Sequence, residues 1–139
     1  MNILIDKVRI SGFRGISNVE ITLPRVTVLL GQNNAGKTSV IKAMQLAMGD
    51  YSRYLSDEDF HIGEDEKRRE VITVDLRFIA VDGESRTKEF SENWQQVFGD
   101  KIQSEPDGNQ FVCIRTIAKP DRVKGGYVVE RFHLDIWPE

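Results

Sequence analysis

Alternation of apolar and polar residues predicts strands along much of the chain. Residues 19–23 alternate as a half-buried strand does, and Pro24 ends the pattern. Residues 3–10 are apolar with interspersed charges, which predicts a strand at an exposed sheet edge. Residues 26–30 are almost wholly apolar, so they predict a strand that is covered on both faces.

The same period of two returns in residues 71–137 and predicts a mainly antiparallel sheet. The first strand there has one regular apolar face, formed by Ile72, Val74, Leu76, Phe78 and Ala80. Asp82-Gly83 predicts the turn that follows it. Residues 110–118 and 127–137 predict two further strands, joined by the polar segment 119–126. The apolar face expected for the last strand consists of Val128, Phe132, Leu134 and Ile136.

Two segments have the helical period instead. A helix is predicted from Lys37 to Gly49, since glycine commonly ends helices. Its expected apolar stripe, which leaves out Leu46, consists of Val40, Ile41, Met44, Ala47 and Met48. A short amphipathic helix that ends at Gly99 is predicted by the spacing of Phe90, Trp94, Val97 and Phe98. Between these helices, residues 50–70 are dense in charge and predict a surface segment anchored by Phe60.

The predicted buried strand leads directly into a phosphate-binding motif. The segment Gly31-Gln32-Asn33-Asn34-Ala35-Gly36-Lys37-Thr38-Ser39 fits the pattern G-x-x-x-x-G-K-[ST] without a mismatch. A strand before this motif and a helix after it are the context in which it forms a nucleotide site. The sequence therefore predicts an α/β P-loop fold with a P-loop strand–helix unit and an antiparallel β-sheet.

Each position of this loop has a physical role. Gly31 and Gly36 permit backbone angles that other residues avoid, so successive N–H groups can converge on phosphate oxygens. The start of the helix adds unpaired N–H donors and the positive end of its dipole. Lys37 is expected to reach the β- and γ-phosphates, and the Thr38 hydroxyl is expected to bind Mg²⁺. Ser39 is a candidate for a contact to the α-phosphate.

Composition indicates an ordinary globular chain of one domain. Of its 139 residues, 40% are hydrophobic and 29% are charged. The formal net charge of −3 gives no support for DNA binding by this segment alone, since nucleic-acid binders normally show a basic face. The apolar neighbours of the lone Cys113 predict a buried strand residue rather than a reactive thiol. With neither a membrane-spanning run nor a signal peptide in the sequence, we expect a cytoplasmic protein.

Several parts of a nucleotide hydrolase are missing from the sequence. Such enzymes need an aspartate after an apolar strand to hold Mg²⁺, and a neighbouring residue that positions water. Asp75 and Asp135 follow apolar residues, but both strands alternate, so we expect these carboxylates to face outward. Neither a guanine-specific Asn-Lys-x-Asp nor an ABC-type Leu-Ser-Gly-Gly signature is present.

The first 62 residues resemble the RecF/SMC/Rad50-like ATPases, and within them the overcoming-lysogenization-defect (OLD) family of ATP-dependent nucleases. The resemblance rests on Gly12-Phe13-Arg14-Gly15, on the strand that ends at Leu23-Pro24, on the loop from residue 31 to 39, and on Asp59-Phe60. It implies part of an ABC-type ATPase head over residues 1–139, with ATP and Mg²⁺ as ligands. It also implies DNA as a partner of the full-length protein, and a homo-oligomer formed through the ATPase heads. The remaining ATPase motifs and a Toprim nuclease domain are expected after Glu139.

The resemblance also suggests roles outside the loop. In these relatives, an arginine at the position of Arg14 lies near the nucleotide phosphates, and a guanidinium suits that task. A surface turn is the alternative for Arg14, and we interpret Asp59 and His61 as parts of a charged surface turn. Phe13 is expected to pack under the loop. The basic residues of segments 67–69 and 115–124 are either DNA contacts or the solvated surface of a hairpin, and the acidic net charge favours the latter.

Three functions fit the sequence. The first is the N-terminal ATP-binding segment of an OLD-like nuclease, a type of protein commonly used in antiviral defence, which would not hydrolyse ATP alone. The second is a RecF- or SMC-type ATPase head of DNA repair or chromosome organisation. The third is a nucleotide-sensing scaffold module without catalysis.

Overall fold

The computed structural model describes residues 2–22, 34–49, 55–83 and 85–138, with the backbone alone over 34–37. The strands in these ranges are β1 (Asn2–Phe13), β2 (Ile16–Thr22), β3 (Ile72–Asp82), β4 (Ser85–Arg86), β5 (Gln103–Ser104), β6 (Gln110–Pro120) and β7 (Tyr127–Leu134). The α-helices there are α1 (Asn34–Ala47) and α2 (Glu92–Phe98). Short 3₁₀ helices cover Asp57–Asp59 and Gly99–Lys101.

The strands form one sheet in which the described neighbours run antiparallel. Its order is β2-β1-β3-β6-β5, while β4 pairs with β3 and β7 pairs with β6. This is the antiparallel architecture that the alternation in residues 71–137 predicts. The predicted strand at 26–30 and the loop residues 31–33 lie outside the described residues, so the P-loop fold stays a prediction.

The edge position predicted for residues 3–10 is wrong. β1 lies between β2 and β3, and its Val8 and Ile10 are fully buried. Its charges belong to the opposite face of the strand, where Asp6 pairs with Arg77 (Nη2–Oδ2 2.5 Å). Asp6 also stands at an irregularity in the β1–β3 register between Ile5 and Lys7. A charge on a central strand can therefore be paired across the sheet, as Asp6 is, so it does not mark an edge.

Helix α1 packs against β1, β3 and β6, and the predicted stripe is only partly right, since Val40, Met44 and Ala47 pack on the core. Its buried residues are Val40, Ala43, Leu46 and Ala47. Ile41 and Met48 are 42% and 53% exposed, so Leu46 belongs to the core and these two do not. The small side chains of Ala43 and Ala47 let this face approach the sheet closely, which spacing alone cannot reveal. In the described residues the helix covers Asn34–Ala47, so it includes three residues before the predicted start.

The C-terminal end of α1 is held by the sheet. Arg131 of β7 donates from Nε to the carbonyl of Ala47 (3.0 Å) and from Nη2 to the carbonyl of Leu46 (2.8 Å). The last carbonyls of a helix have no N–H partner inside it, and here the Leu46 carbonyl also accepts the N–H of Gly49 (3.2 Å). A cation suits the negative end of the helix dipole. Gly49 follows with φ of +95°, in agreement with its predicted role as the stop.

The face predicted for β7 is wrong for Phe132 and Ile136, although Leu134 packs on the cluster around Phe111 and Cys113. Phe132 is 39% exposed and Ile136 is 72% exposed, and the strand ends at Leu134 instead of residue 137. Tyr127 and Val129 pack on the main core, so the alternate set of residues faces α1. Because successive side chains point to opposite faces, a shift of one residue exchanges the two sets.

Helix α2 covers a smaller cluster at the other end of the sheet. Phe90, Trp94 and Phe98 pack there, with 5.3 Å between the ring centroids of Phe90 and Phe98. Val97 is 68% exposed, although its spacing places it on the predicted stripe. Within the described residues, no helix is long and apolar enough to cross a bilayer.

Asp75 of β3 is buried to 1% exposure, contrary to the expectation that it faces outward. Its carboxylate accepts two bonds from Arg115 of β6, from Nε to Oδ1 (2.7 Å) and from Nη2 to Oδ2 (3.0 Å). The hydrogen bond to Asp75 raises the pKa of the Arg115 guanidinium above its ordinary value. This carboxylate is therefore engaged in joining two strands.

Arg115→Met is expected to lower the free energy of unfolding by about 3 kcal/mol, because it leaves the buried Asp75 carboxylate without its main partner. Urea denaturation measures the change. The control is Arg122→Met, which removes an arginine that pairs with Glu70 at the surface, where the arginine side chain is 72% exposed. This substitution should change the free energy of unfolding by less than about 0.5 kcal/mol. Equal losses for the two variants would contradict a special role of the buried pair.

Cys113 is fully buried, as its neighbours predict, and burial raises the pKa of its thiol to about 12. The native protein should therefore resist alkylation at pH 8, where almost no thiolate forms and the sulfur is out of reach. Counting thiols with a chromogenic disulfide should give none in buffer and one in denaturant. Rapid labelling of the native protein would argue against the packing of β6.

Candidate functional site

The segment that follows α1 in the described chain returns to the turn between β1 and β2. Phe60 forms an isolated antiparallel bridge with Phe13, the last residue of β1. On either side of it, the N–H of Arg14 donates to the carbonyl of Asp59 (2.7 Å) and the N–H of His61 donates to that of Gly12 (2.9 Å). Segment 59–61 thus continues the sheet at the end of β1, and Phe60 anchors it with 2% exposure.

Gly12 is needed where these segments meet. Its φ is +77°, and a Cβ there would stand 2.5 Å from the carbonyl oxygen of Val71. Both the left-handed backbone and the close approach of Val71 exclude a side chain. Phe13 is fully buried beside it, in agreement with a packing role.

Arg14 is held at several atoms. Its φ of 52° is unusual for a residue with a side chain. Its Nε donates to Oδ1 of Asp59 (2.9 Å), and its guanidinium carbon lies 5.5 Å from the centroid of the Phe13 ring. The carbonyl of Arg14 accepts a bond from Nδ1 of His61 (2.7 Å), which fixes the proton on that nitrogen.

The interpretation of Asp59 as part of a charged surface turn is wrong, whereas His61 is partly exposed. Asp59 is 3% exposed, and its second oxygen, Oδ2, accepts the backbone N–H of Ser56 (3.0 Å). The sequence signal for this contact was the spacing Ser-x-x-Asp, which is typical of a capped helical turn. Only the fold shows that the same carboxylate also reaches an arginine 45 positions away in the chain.

Arg14 and Asp59 line an open cleft of about 610 Å³ at the N-terminal part of α1. Its lining consists of Arg14, Gly15, Thr38, Ser39, Ser56, Glu58 and Asp59. Three of the residues predicted to bind nucleotide therefore share one cleft: Arg14, Thr38 and Ser39. The cleft combines a permanent cation with hydroxyl groups on the first turns of a helix, which is chemistry suited to a phosphate.

For the remaining predicted site residues, the structure describes no side chain. Gly31, Gln32 and Asn33 lie outside the described residues. Asn34, Ala35, Gly36 and Lys37 belong to the first turn of α1, but only their backbone is described. Their roles stay predictions.

The two candidate metal aspartates do not meet in this cleft. Asp75 is bound to Arg115, and Asp135 lines a separate cleft with Arg77 and Trp137. In the described part of the chain, no three His, Cys, Asp or Glu side chains are grouped as metal ligands. The hydroxyl of Thr38 remains the predicted metal ligand of this segment.

Tyr127 of β7 contacts the 3₁₀ turn at Asp57–Asp59 and the residue that follows it, Phe60. Its ring stacks on Phe60 with 5.6 Å between centroids, and its hydroxyl donates to Oδ1 of Asp57 (2.5 Å). The bond to this carboxylate raises the pKa of Tyr127 above its ordinary value. Sequence reasoning missed Tyr127, because nothing local links it to residues 57–60.

Several basic residues that were considered as DNA contacts have protein partners. Arg115 binds Asp75, Arg122 binds Glu70, and Lys119 lies 3.9 Å from Glu130. In the other basic segment, Arg68 donates to the backbone carbonyl of Asp57, and Arg69 donates to Oγ of Ser17 (3.1 Å). These contacts favour a solvated, internally paired surface over a dedicated DNA track.

Comparison with known proteins places this geometry in context. Residues 3–130 match the family described as "Protein of unknown function (DUF2813)". The chain belongs to this family. It is also 30% identical over 47 residues, or 34% of its length, to an OLD nuclease from Thermus scotoductus. Over 81 residues, or 58% of its length, it is 36% identical to a DNA double-strand break repair Rad50 ATPase from Methanopyrus kandleri. Each alignment covers 9% of the relative.

Gly12→Ala is expected to cost about 2–3 kcal/mol of folding free energy, through the disfavoured φ and the clash with Val71. Thermal unfolding measures the loss. Gly15→Ala is the matched control in the same turn, since a Cβ there meets no atom within 4 Å. Similar stabilities for the two variants would refute the close approach of Val71 to Gly12.

Proposed function

We propose that this chain binds ATP–Mg²⁺ through residues 31–39, with Arg14 as a phosphate contact from the neighbouring turn. The observation that supports it most is the cleft in which the Arg14 guanidinium lies together with Thr38 and Ser39 of α1. The motif supplies backbone N–H donors and Lys37, Thr38 supplies a hydroxyl for Mg²⁺, and Arg14 adds a cation that stays charged at any physiological pH.

The larger role that we propose is that of an ATPase segment in a DNA-processing protein. Similarity to an OLD nuclease and to a Rad50 ATPase supports this class. The segment would form part of an ABC-type head, with homo-oligomerisation through the heads, and DNA would be engaged by the protein as a whole. An OLD-like ATP-dependent nuclease agrees best with the motif form Asn-Asn-Ala-Gly-Lys-Thr-Ser and with Asp59-Phe60.

A RecF- or SMC-type ATPase head is the second candidate. The longer alignment, over 81 residues, is with the Rad50 ATPase and favours this class. In either case, the groups that activate water are not evident here, since Asp75 is bound to Arg115 and lies away from the cleft. We therefore propose that the 139-residue chain binds nucleotide without turning it over.

Lys37→Ala is expected to weaken ATP–Mg²⁺ binding by about tenfold or more, because a charge-assisted phosphate contact is lost. Equilibrium titration of the 139-residue chain with a fluorescent ATP analogue measures it. Lys88→Ala, at an exposed position before α2, is the control and should bind as the parent does. Unchanged affinity in Lys37→Ala would reject the nucleotide site, and steady phosphate release by the parent chain would reject its inability to hydrolyse ATP.

A further inference from the structure

We infer that Asp59 is a positioning residue, which sets the Arg14 guanidinium in place for the nucleotide phosphates before nucleotide arrives. This inference rests on the proposed ATP site. It concerns a buried carboxylate that the motif itself does not contain.

The backbone of Arg14 is fixed by segment 59–61 from both sides. Its N–H binds the carbonyl of Asp59, and its own carbonyl binds the His61 ring. A non-glycine residue keeps a φ of 52° only where its surroundings hold it there. The position from which the arginine side chain starts is therefore determined by the same segment that carries Asp59.

The side chain is then fixed through Nε. Asp59 accepts from Nε at 2.9 Å, while the guanidinium carbon lies over the Phe13 ring. A guanidinium is planar, so a bond at Nε together with the ring contact restrains the orientation of the whole fork. The Arg14 side chain keeps 29% exposure and lines the cleft with Thr38 and Ser39.

Asp59 is itself buried and bonded at both carboxylate oxygens. Its side chain is 4% exposed, and its two oxygens bind different partners, Nε of Arg14 and the N–H of Ser56. The neighbouring Glu58 also lines the cleft, but it is exposed and makes no ion pair with Arg14. Two carboxylates thus contribute similar charge to one cleft, and only Asp59 is bonded to the arginine.

A carboxylate beside Arg14 has two opposing effects on phosphate binding. Its charge reduces the attraction between the cleft and an anion, and its bond removes the entropy that a long side chain would lose on binding. The cleft is open to water, which weakens the charge effect, whereas the bond to the buried Asp59 oxygen is retained. Positioning therefore outweighs charge, and removal of the Asp59 charge should weaken nucleotide binding.

A double-mutant cycle on the 139-residue chain tests this inference. The dissociation constant of a fluorescent ATP analogue with Mg²⁺ is measured for the parent, Asp59→Asn, Arg14→Ala and the double variant. Asp59→Asn cannot serve both Arg14 and Ser56, because one end of its amide is a donor. It should weaken binding about five- to tenfold in the parent and less than about twofold in the Arg14→Ala background.

Glu58→Gln is the matched control, since it removes one negative charge from the same cleft and leaves Asp59 in place. It should change the affinity by less than about twofold. Equal weakening by Asp59→Asn in both backgrounds would overturn the inference, because Asp59 would then act without Arg14. Tighter binding in Asp59→Asn would also overturn it, by showing that charge outweighs positioning.

A second measurement needs no folded Asp59 variant. In the nitrogen NMR spectrum of the nucleotide-free parent, the Nε–H of Arg14 should give a distinct, slowly exchanging resonance, assigned by its loss in Arg14→Lys. An averaged, fast-exchanging signal would overturn prior positioning. The two failures can be told apart. If Lys37→Ala binds ATP like the parent, or if the parent does not bind, the nucleotide site is rejected and the role of Asp59 with it. If ATP binding depends on Lys37 but the double-mutant cycle fails, only the role of Asp59 is rejected.

Discussion

The candidate site depends on the bond between Arg14 and Asp59, because it joins two segments that are 45 positions apart in the chain. A carboxylate at 4% exposure is tolerated only if its charge is matched and its oxygens are bonded. Arg14 and the backbone of Ser56 meet that demand. The same bonds fix the shape of the turn after β1, which lies next to the first turns of α1. The cleft is formed between this turn and the helix.

The sheet uses its arginines in a similar way. Arg115 is bound to Asp75 between two central strands, and Arg77 is bound to both Asp6 and Glu105. These guanidiniums lie on the face opposite α1 and tie neighbouring strands together. Each of these cations is matched by at least one carboxylate, so the pairing does not make the formal net charge of −3 any less negative.

The sequence pattern predicted correctly those features that depend only on neighbouring residues. The two-residue period predicts β3 and β6, the glycine at position 49 predicts the end of α1, and the neighbours of Cys113 predict its burial. The phosphate motif was found by its letters alone, and its structure between residues 31 and 33 lies outside the described part of the chain.

Features that depend on partners far along the chain could not be predicted. Whether residues 3–10 form an edge or a centre depends on β3, whose paired residues lie from 64 positions (Ile10–Val74) to 77 positions (Ile3–Ala80) later in the chain. The two-residue period alone cannot tell the two situations apart. The buried face of α1 depends on which helix surface meets the sheet most closely, so Leu46 displaced Ile41 from the expected stripe. In the sequence, Asp59 could not be told from the exposed acids next to it, because its partner Arg14 lies 45 positions earlier in the chain.

The attachment of α1 through Arg131 has a mechanical consequence. The Arg131 side chain donates two hydrogen bonds to the last carbonyls of the helix, those of Leu46 and Ala47. The hydroxyl of Thr116 in β6 donates to the same Ala47 carbonyl (3.5 Å). These hydrogen bonds restrain α1 against translation along its own axis. A displacement of α1 along its axis, started at the end where Thr38 and Ser39 line the cleft, would therefore have to break these bonds or move β6 and β7 with the helix.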